Sequence, residues 1–324
     1  MEHHRRILVV GGTGFIGRQL VAHLASRPQY LKVPTRRRER ARWATMLPNC
    51  ELIGADVHDA ATLERLAGDV DVVINLVGIL HDGRGDPYGA GFARAHVELP
   101  RRLAALCARL PRAPRLLHVS ALGVRDDGPR LPSMYLRSKA DGERAVRDSG
   151  CAWTIFRPSV VFGPEDNFLN MFAGLARWLP VLPLARADAR FAPVYVRDVA
   201  HAIANAIDVR ETVGRTYELA GPETWTLGEL ARFAAGMEGL DRRVVHLPDA
   251  IGRLQARMLS LTPGGPLMSI DNFDSLSVPN VPSDPALVFP PELGVKPLPL
   301  SAAMQAYGRT TEDLVSERRT RANR

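Results

Sequence analysis

Tyr135 and Lys139 stand four residues apart in "MYLRSKADGERAV" (134–146), one helical turn, so both side chains can leave the same face of a helix. A phenol and an ammonium so placed suit two tasks. The phenol can protonate the alkoxide that develops when a hydride reaches a carbonyl, provided the ammonium lowers its pKa. The ammonium can also hold the hydroxyls of a ribose with no turnover at all. The chain has six tyrosines and three lysines, so a chance match to this spacing is expected only about 0.06 times. Ser120, in "HVSALG", closes an apolar run and could orient a carbonyl oxygen. Ser120, Tyr135 and Lys139 are the candidate catalytic residues, and Tyr135 and Lys139 are candidate cofactor contacts as well.

These residues need a frame, and the first half of the chain supplies the pattern for one. Short apolar runs at 6–10, 30–34, 51–55, 70–77, 115–120 and 152–156 read as strands, separated by helical patterns near 15–26, 60–67, 92–110 and 134–149. Strands alternating with helices imply a parallel sheet with helices on both faces. "VDVVINLV" is nearly all apolar and suits a central strand buried on both sides. After Pro158 the rhythm changes. A Gly-Pro turn and an aromatic-rich helix follow in "VVFGPEDNFLNMFAGLARWLP", where Glu165 and Asp166 are expected to complement the helix start. Two strand-plus-helix returns come next; in the first, Arg197 and Asp198 should fix the helix start, and in the second Thr226 and Glu229 form a capping box. The stretch 262–300 is proline-rich with no helical period, so it should wrap the body or form an interface. The expected fold is α/β: a Rossmann-type doubly wound parallel sheet, with a smaller α/β lobe toward the C-terminus. The expected division is 1–157 for the nucleotide domain, with part of 192–220 returning to it, 158–310 for the smaller lobe, and 311–324 as a basic tail.

"ILVVGGTGFIGRQL" carries the strongest signal. Gly11, Gly14 and Gly17 follow a strand and open a helix, the arrangement that brings backbone close to a dinucleotide pyrophosphate at the helix N-terminus. Thr13, Phe15 and Ile16 complete the candidate contacts of that turn. An NAD site usually carries an acid about 20 residues further on; here Thr35 and Arg36 hold that place, and no carboxylate appears before Glu39. Arginine suits a 2′-phosphate, so NADP(H) is expected over NAD(H), which stays possible. Asp56 and Val57 could meet the adenine, while Asp59 can cap the following helix. Asn75, Leu76, Val77 and Gly78 end the fourth strand beside the crevice, as either lining or a plain turn. Arg157 could orient the loop after the sixth strand, and Pro158 is a further candidate contact.

Bulk composition narrows the classes. The 324 residues are 46% hydrophobic and 24% charged, with no apolar run near the length of a membrane span. The N-terminus carries no small-residue cleavage site, so no signal peptide is expected. Net charge is +7 with pI near 9.7, almost all from arginine, yet no nucleic-acid-binding signature is present and none is expected to bind. Cys50, Cys107 and Cys151 are scattered, as incidental thiols in a reducing cytoplasm would be. The nine histidines form no ligand cluster, so no metal is expected. The stretch 251–261 is weakly amphipathic and reads as a packed surface helix before a peripheral membrane contact.

"GGTGFIG", "HVSALG", "YLRSK" and "IFRPSVVFG" occur in the order of the extended or atypical short-chain dehydrogenase/reductases (NAD(P)-dependent epimerase/dehydratase-like proteins), and the chain resembles that family along essentially its whole length. "YLRSKADGERAV", "FGPEDNFLN" and "PVYVRDVAHAI" are most similar to the nucleotide-binding accessory subunits of respiratory complex I and their bacterial relatives. Ubiquinone-biosynthesis-associated proteins of the same branch are similar too. The resemblance implies an NADP(H)-binding protein with limited or specialised oxidoreductase activity, in the cytoplasm or on the inner face of the cytoplasmic membrane, partnered by respiratory-chain or quinone-biosynthesis proteins. It places "FGPEDNFLN" at the mouth of the cofactor cleft. Because the respiratory subunits keep a comparable tyrosine and lysine as structural nucleotide holders, the pair alone leaves enzymatic turnover open. Two alternatives stand: an active epimerase, dehydratase or reductase on a nucleotide sugar or small carbonyl compound, and an NADPH-sensing regulator.

Overall fold

Seven parallel strands form the spine of the computed structural model, which describes residues 5–125, 130–262 and 268–303. β1 (Arg5–Val10), β2 (Gln29–Thr35), β3 (Cys50–Gly54), β4 (Val72–Asn75), β5 (Arg115–Val119), β6 (Trp153–Pro158) and β11 (Arg215–Leu219) lie in the order β3-β2-β1-β4-β5-β6-β11. Ile7, Leu8, Val9 and Val10 are wholly buried, because the middle of the sheet is covered on both sides. The chain builds outward from β1 to β3, then crosses back to set β4 on β1's other flank, pairing Val10 with Asn75. That reversal is a topological switch point, where the crevice beyond the strand ends receives ligands in such sheets.

Helices cover each face. α1 (Phe15–Ala25) and α7 (Val196–Ala206) bury Leu20, Val21, Leu24, Val199 and Ile203 against Ile7, Val9, Val33, Ile74 and Leu117. On the other face α2 (Ala60–Ala67) is capped by Asp59, whose carboxylate accepts from Thr62 N at 2.8 Å. α3 (Ala90–Phe92) runs through a π-helical stretch at Ala93–Glu98 into α4 (Leu99–Arg109). α5 (Met134–Arg147) begins at Ser133. Leu63, Leu99, Leu103 and Val146 of this layer pack on Leu8, Val10, Val73 and Ile155. The doubly wound reading holds, and β11 and α7 join the seven-stranded sheet and its helical cover after the chain has left them.

The remaining elements make a smaller α/β assembly. β7 (Val161–Phe162) pairs with β10 (Val194–Tyr195), β9 (Arg190–Phe191) with β12 (Trp225–Thr226), and β8 (Val181–Ala185) with β13 (Arg243–Leu247). α6 (Phe168–Trp178) and α8 (Leu227–Met237) close over Phe162, Leu169, Phe172, Leu230 and Ala234. The expected capping box of α8 is present at Thr226 and Glu229. α9 (Asp249–Leu259) buries Gly252 and Ala256 against Ala185 and Phe273. It leaves Ile251, Leu254 and Met258 exposed at 49%, 59% and 68%.

Among its described residues the proline-rich stretch departs from its loop reading: α10 (Ile270–Ser275) is a helix of six residues, too short to show a period, and Pro285–Leu287 and Pro291–Leu293 are single 3-10 turns. The rest wraps the body, with Asn280 bonded to Ser159 and Val160, and Leu298 N donating to Asp198 at 2.7 Å. The basic tail at 311–324 and part of the link between Ser120 and Tyr135 lie outside the described residues. Cys50, Cys107 and Cys151 are free thiols, and burial pushes Cys107 up to about 12. No helix among the described residues is long and apolar enough to cross a membrane.

Candidate functional site

The glycine turn sits at the switch point. Gly11 has φ +83°, a conformation side chains resist, and Gly14 N donates to Gly11 O at 3.0 Å as α1 begins. A Cβ on Gly17 would lie 2.5 Å from Gly11 O, and one on Gly11 would lie 3.1 Å from Val77 N. The turn, the helix and the end of β4 are thus in backbone contact. Gly12, not singled out in the sequence, is as constrained: its Cβ would meet Val33 and Val9 at 3.0 Å. The first turn of α1 carries no acid, so its N–H groups face the crevice with their dipole uncancelled. Thr13 stays at the turn, Phe15 reaches over toward Gly163, 3.0 Å from a Cβ built there, and Ile16 packs on the main core.

At the end of β2, Thr35 is buried and its hydroxyl accepts from Arg37 N at 3.2 Å. Arg36 is exposed and forms no hydrogen bond or ion pair among the described residues. Asp56 accepts from His58 N at 3.0 Å and pairs with Arg94 at 3.3 Å, while Val57 packs on the second core. Asn75 turns inward rather than toward the crevice. Its amide nitrogen is 3.1 Å from His118 Nδ1, and its oxygen accepts from Val77 N. What β4 offers the crevice is therefore the backbone of Leu76, Val77 and Gly78.

Gly78 brings the two halves of the site together. A Cβ there would stand 3.3 Å from Lys139 Nζ and 3.8 Å from His96 Nε2. Lys139 is 4% exposed and donates to Val119 O at 3.3 Å. Burial pushes its ammonium down to about 8, against an upward pull from Glu143. Its Nζ lies 6.0 Å from the centre of the Tyr135 ring. Tyr135 meets His96 and Phe92 edge-on, with ring centres 5.5 and 6.1 Å away. Burial pushes the phenol up to about 12, and the Asp271 carboxylate adds to that. Ser120 is buried between Val119 and Ala121, and its hydroxyl has no partner. A buried hydroxyl without a partner, next along the chain to the Val119 carbonyl that Lys139 meets, is a donor that a bound ligand would satisfy.

The family follows from sequence comparison along this same stretch. The profile of the NAD dependent epimerase/dehydratase family matches residues 7–220, from β1 through β11. The chain belongs to that family. It is 32% identical over 300 residues to the mitochondrial NADH dehydrogenase [ubiquinone] 1 alpha subcomplex subunit 9 of Mus musculus, covering 90% of this chain and 76% of that one. A ceramide reductase of Caulobacter vibrioides is 33% identical over 252 residues, 75% of this chain and 74% of its own. Among solved structures, the NADPH-dependent quinone oxidoreductase QOR2 of Escherichia coli, complexed with NADPH, superposes with TM-score 0.72. It covers 93% of this chain and 99% of that one at 19% identity, which speaks for the fold.

Within this epimerase/dehydratase frame, residues not foreseen as a group hold the site. His96, on the π-helical stretch, accepts from Ile79 N at 3.0 Å through Nε2, so its proton sits on Nδ1 and is shared with Ser138 Oγ at 2.9 Å. Ser138 in turn donates to Tyr135 O at 2.8 Å. Burial, then Lys139 and His118, push His96 down to about 2, so the ring is neutral. π-Helical insertions often mark functional positions, yet nothing in the spacing of "ARAHVELP" announces one. Gly142 gives the trace that was there to read: a Cβ on it would fall 1.9 Å from His96 O.

The Arg157 guanidinium grips the fully buried Glu143 at 2.9 and 2.7 Å and ties α5 to β6. Pro158 is buried, and its carbonyl accepts from Leu122 N at 2.9 Å. Asp166 starts α6 by accepting from Leu169 N at 2.6 Å. Glu165, expected to share that task, instead pairs with Arg18 of α1. Asp198 anchors the wrapping segment, while Arg197 is exposed. A cavity of about 900 Å³, ringed by Arg6, Lys32, Asp69, Asp71 and Arg112, lies at the opposite ends of the strands, away from this chemistry.

Proposed function

We propose that this protein is an NADP(H) holder associated with the respiratory chain or quinone metabolism, with limited or specialised oxidoreductase activity. The observation that carries the reading is the state of the Tyr135–Lys139 pair. A buried lysine whose Nζ stands 3.3 Å from the Cβ position of Gly78, beside a phenol that burial keeps protonated, is placed to hold a ribose. Likeness to a respiratory-chain subunit over 90% of the chain supports it. In this reading Gly11, Thr13, Gly14, Phe15, Ile16 and Gly17 cradle the pyrophosphate and Arg36 takes the 2′-phosphate. Asp56 and Val57 lie by the adenine, and Leu76, Val77, Gly78 and Pro158 border the nicotinamide half. Lys139 donates to the ribose hydroxyls. When bound, the nicotinamide supplies a transferable hydride; the chain's own residues orient it and keep water away.

The nucleotide domain comprises 1–157 with the returning β11 and α7, and 158–310 forms the substrate-side lobe. The exposed apolar stripe of α9, beside Arg257, would seat that lobe on the inner face of the cytoplasmic membrane near respiratory or quinone-biosynthesis partners. Mass spectrometry of nucleotide released from the purified protein tests the holder reading. Stoichiometric, slowly exchanging NADPH supports it; an empty or freely exchanging site overturns it. A second reading, an active carbonyl reductase, is favoured by the orphaned Ser120 hydroxyl and by likeness to a ceramide reductase. Reduction of bound NADP by candidate alcohols, lost in Tyr135→Phe, would establish it.

A further inference from the structure

α5 starts without its own supply of acid. The first N–H groups of a helix have no intrahelical acceptor, and this helix has no carboxylate in its first turn. Ser133 serves one of them, accepting from Leu136 N at 3.2 Å. The other two, on Met134 and on Tyr135 itself, donate at 2.6 and 3.0 Å to the two carboxylate oxygens of Asp271, 9% exposed, from the wrapping segment. Asp271 is held in turn. Its helix α10 is closed by a capping box of Ser269 and Asn272, Asn272 Nδ2 donates to Leu80 O at 3.2 Å, and Ser275 Oγ bonds Ser133 Oγ at 2.8 Å. Two residues on, Phe273 is fully buried beneath α9, with the Arg186 guanidinium 4.3 Å from its ring centre. The smaller lobe therefore reaches the tyrosine's own backbone through a single side chain.

We propose that Asp271 is a positioning residue for the Tyr135–Lys139 pair, setting from the C-terminal segment where the first turn of α5, and hence the phenol, stands in the cofactor crevice. The proposal rests on the reading that this pair contacts the bound nucleotide. The titratable groups facing Asp271 are Arg137 on α5, Asp274 on its own helix and His81 on the loop after β4, whose charged form burial disfavours. Those facing Tyr135 are Lys139, the neutral His96 and Asp271 itself. Burial disfavours tyrosinate most, and the Asp271 charge adds to that.

Three variants of the full chain test this: Asp271→Asn, Asp271→Ala, and Asp274→Asn as a control on the same helix, whose partner is Arg253 on α9. Tyrosinate absorbance is titrated without nucleotide, Tyr135 being identified by its loss in Tyr135→Phe, and NADPH affinity is measured separately. Asp271→Asn should move the Tyr135 midpoint down while keeping most affinity, since the amide still offers one acceptor. Asp271→Ala should weaken NADPH roughly three- to tenfold, the scale of a lost helix cap. Asp274→Asn should change neither. An unmoved Tyr135 midpoint in both Asp271 variants, or an equal shift in the Asp274 control, overturns the proposal. Because the titration needs no nucleotide, a chain that binds no pyridine dinucleotide would sink the holder reading and still leave this one decided.

Discussion

Arg36 leaves β2 where an NAD-selective site would keep a carboxylate, and it arrives there exposed and unpaired among the described residues. A guanidinium that meets a 2′-phosphate forms charge-assisted hydrogen bonds worth about 1.5–3 kcal/mol. Arg36→Ala should therefore weaken NADPH by roughly ten- to a hundredfold and leave NADH within about twofold; equal losses in calorimetry with both would refute the assignment. Lys139 yields a pH dependence. Its free-state pKa stands near 8, below the ordinary 10.5, because burial disfavours the ammonium. A ribose that accepts from that ammonium raises the pKa again, so binding takes up a proton. Affinity should be full below pH 8 and decline as pH rises through it, and Lys139→Met should flatten the profile. Spacing alone disclosed both residues, since β2 and α5 needed only local pattern to be recognised. It could not disclose His96 or Asp271, whose partners lie 42 and 136 positions away.

At the scale of the element, α5 is fixed at both ends by charges drawn from elsewhere. Asp271 closes its start, and Glu143 near its end is fully buried between Arg157 of β6 and Arg147 one turn on. Removing one member of a buried ion cluster strands the others and costs roughly 3–5 kcal/mol. Glu143→Ala should lower the urea-unfolding free energy by that amount, with weakened nucleotide binding as α5 loosens. The exposed pair of Arg102 and Glu98, one turn apart at the start of α4, offers the contrast. Glu98→Gln should change stability by less than about 1 kcal/mol. If both substitutions cost the same, burial is not what anchors α5.

Across the whole molecule, the seven-stranded sheet buries Ile7, Leu8, Val9 and Val10 of β1 completely while α9 turns Ile251, Leu254 and Met258 outward on one stripe. The residues that α9 buries against the body are the small Gly252 and Ala256, which draws the helix close and leaves Ile251, Leu254 and Met258 outside. With a net charge of +7, such a stripe should settle at an anionic lipid surface. The protein should co-sediment with phosphatidylglycerol-containing vesicles in low salt, less so as salt screens the charge. A double Leu254→Glu, Met258→Glu variant should stay in solution with unaltered nucleotide affinity. Wild-type protein that ignores such vesicles would remove the membrane from the account.

The sequence by itself determined the parallel sheet, the glycine turn, Arg36 in place of an acid, and Tyr135 with Lys139 on one helix face. Each is written in residues a few positions apart, and strand and helix periods, caps and tight turns are local physics. Only the tertiary structure decided that Asn75 faces inward, that Glu165 bridges to Arg18 instead of capping, that Arg157 clamps Glu143, and that a six-residue helix from the proline-rich segment closes α5. Those outcomes depend on burial and on hydrogen-bond partners brought together from distant stretches of chain, and no local spacing encodes which buried donor will find which acceptor.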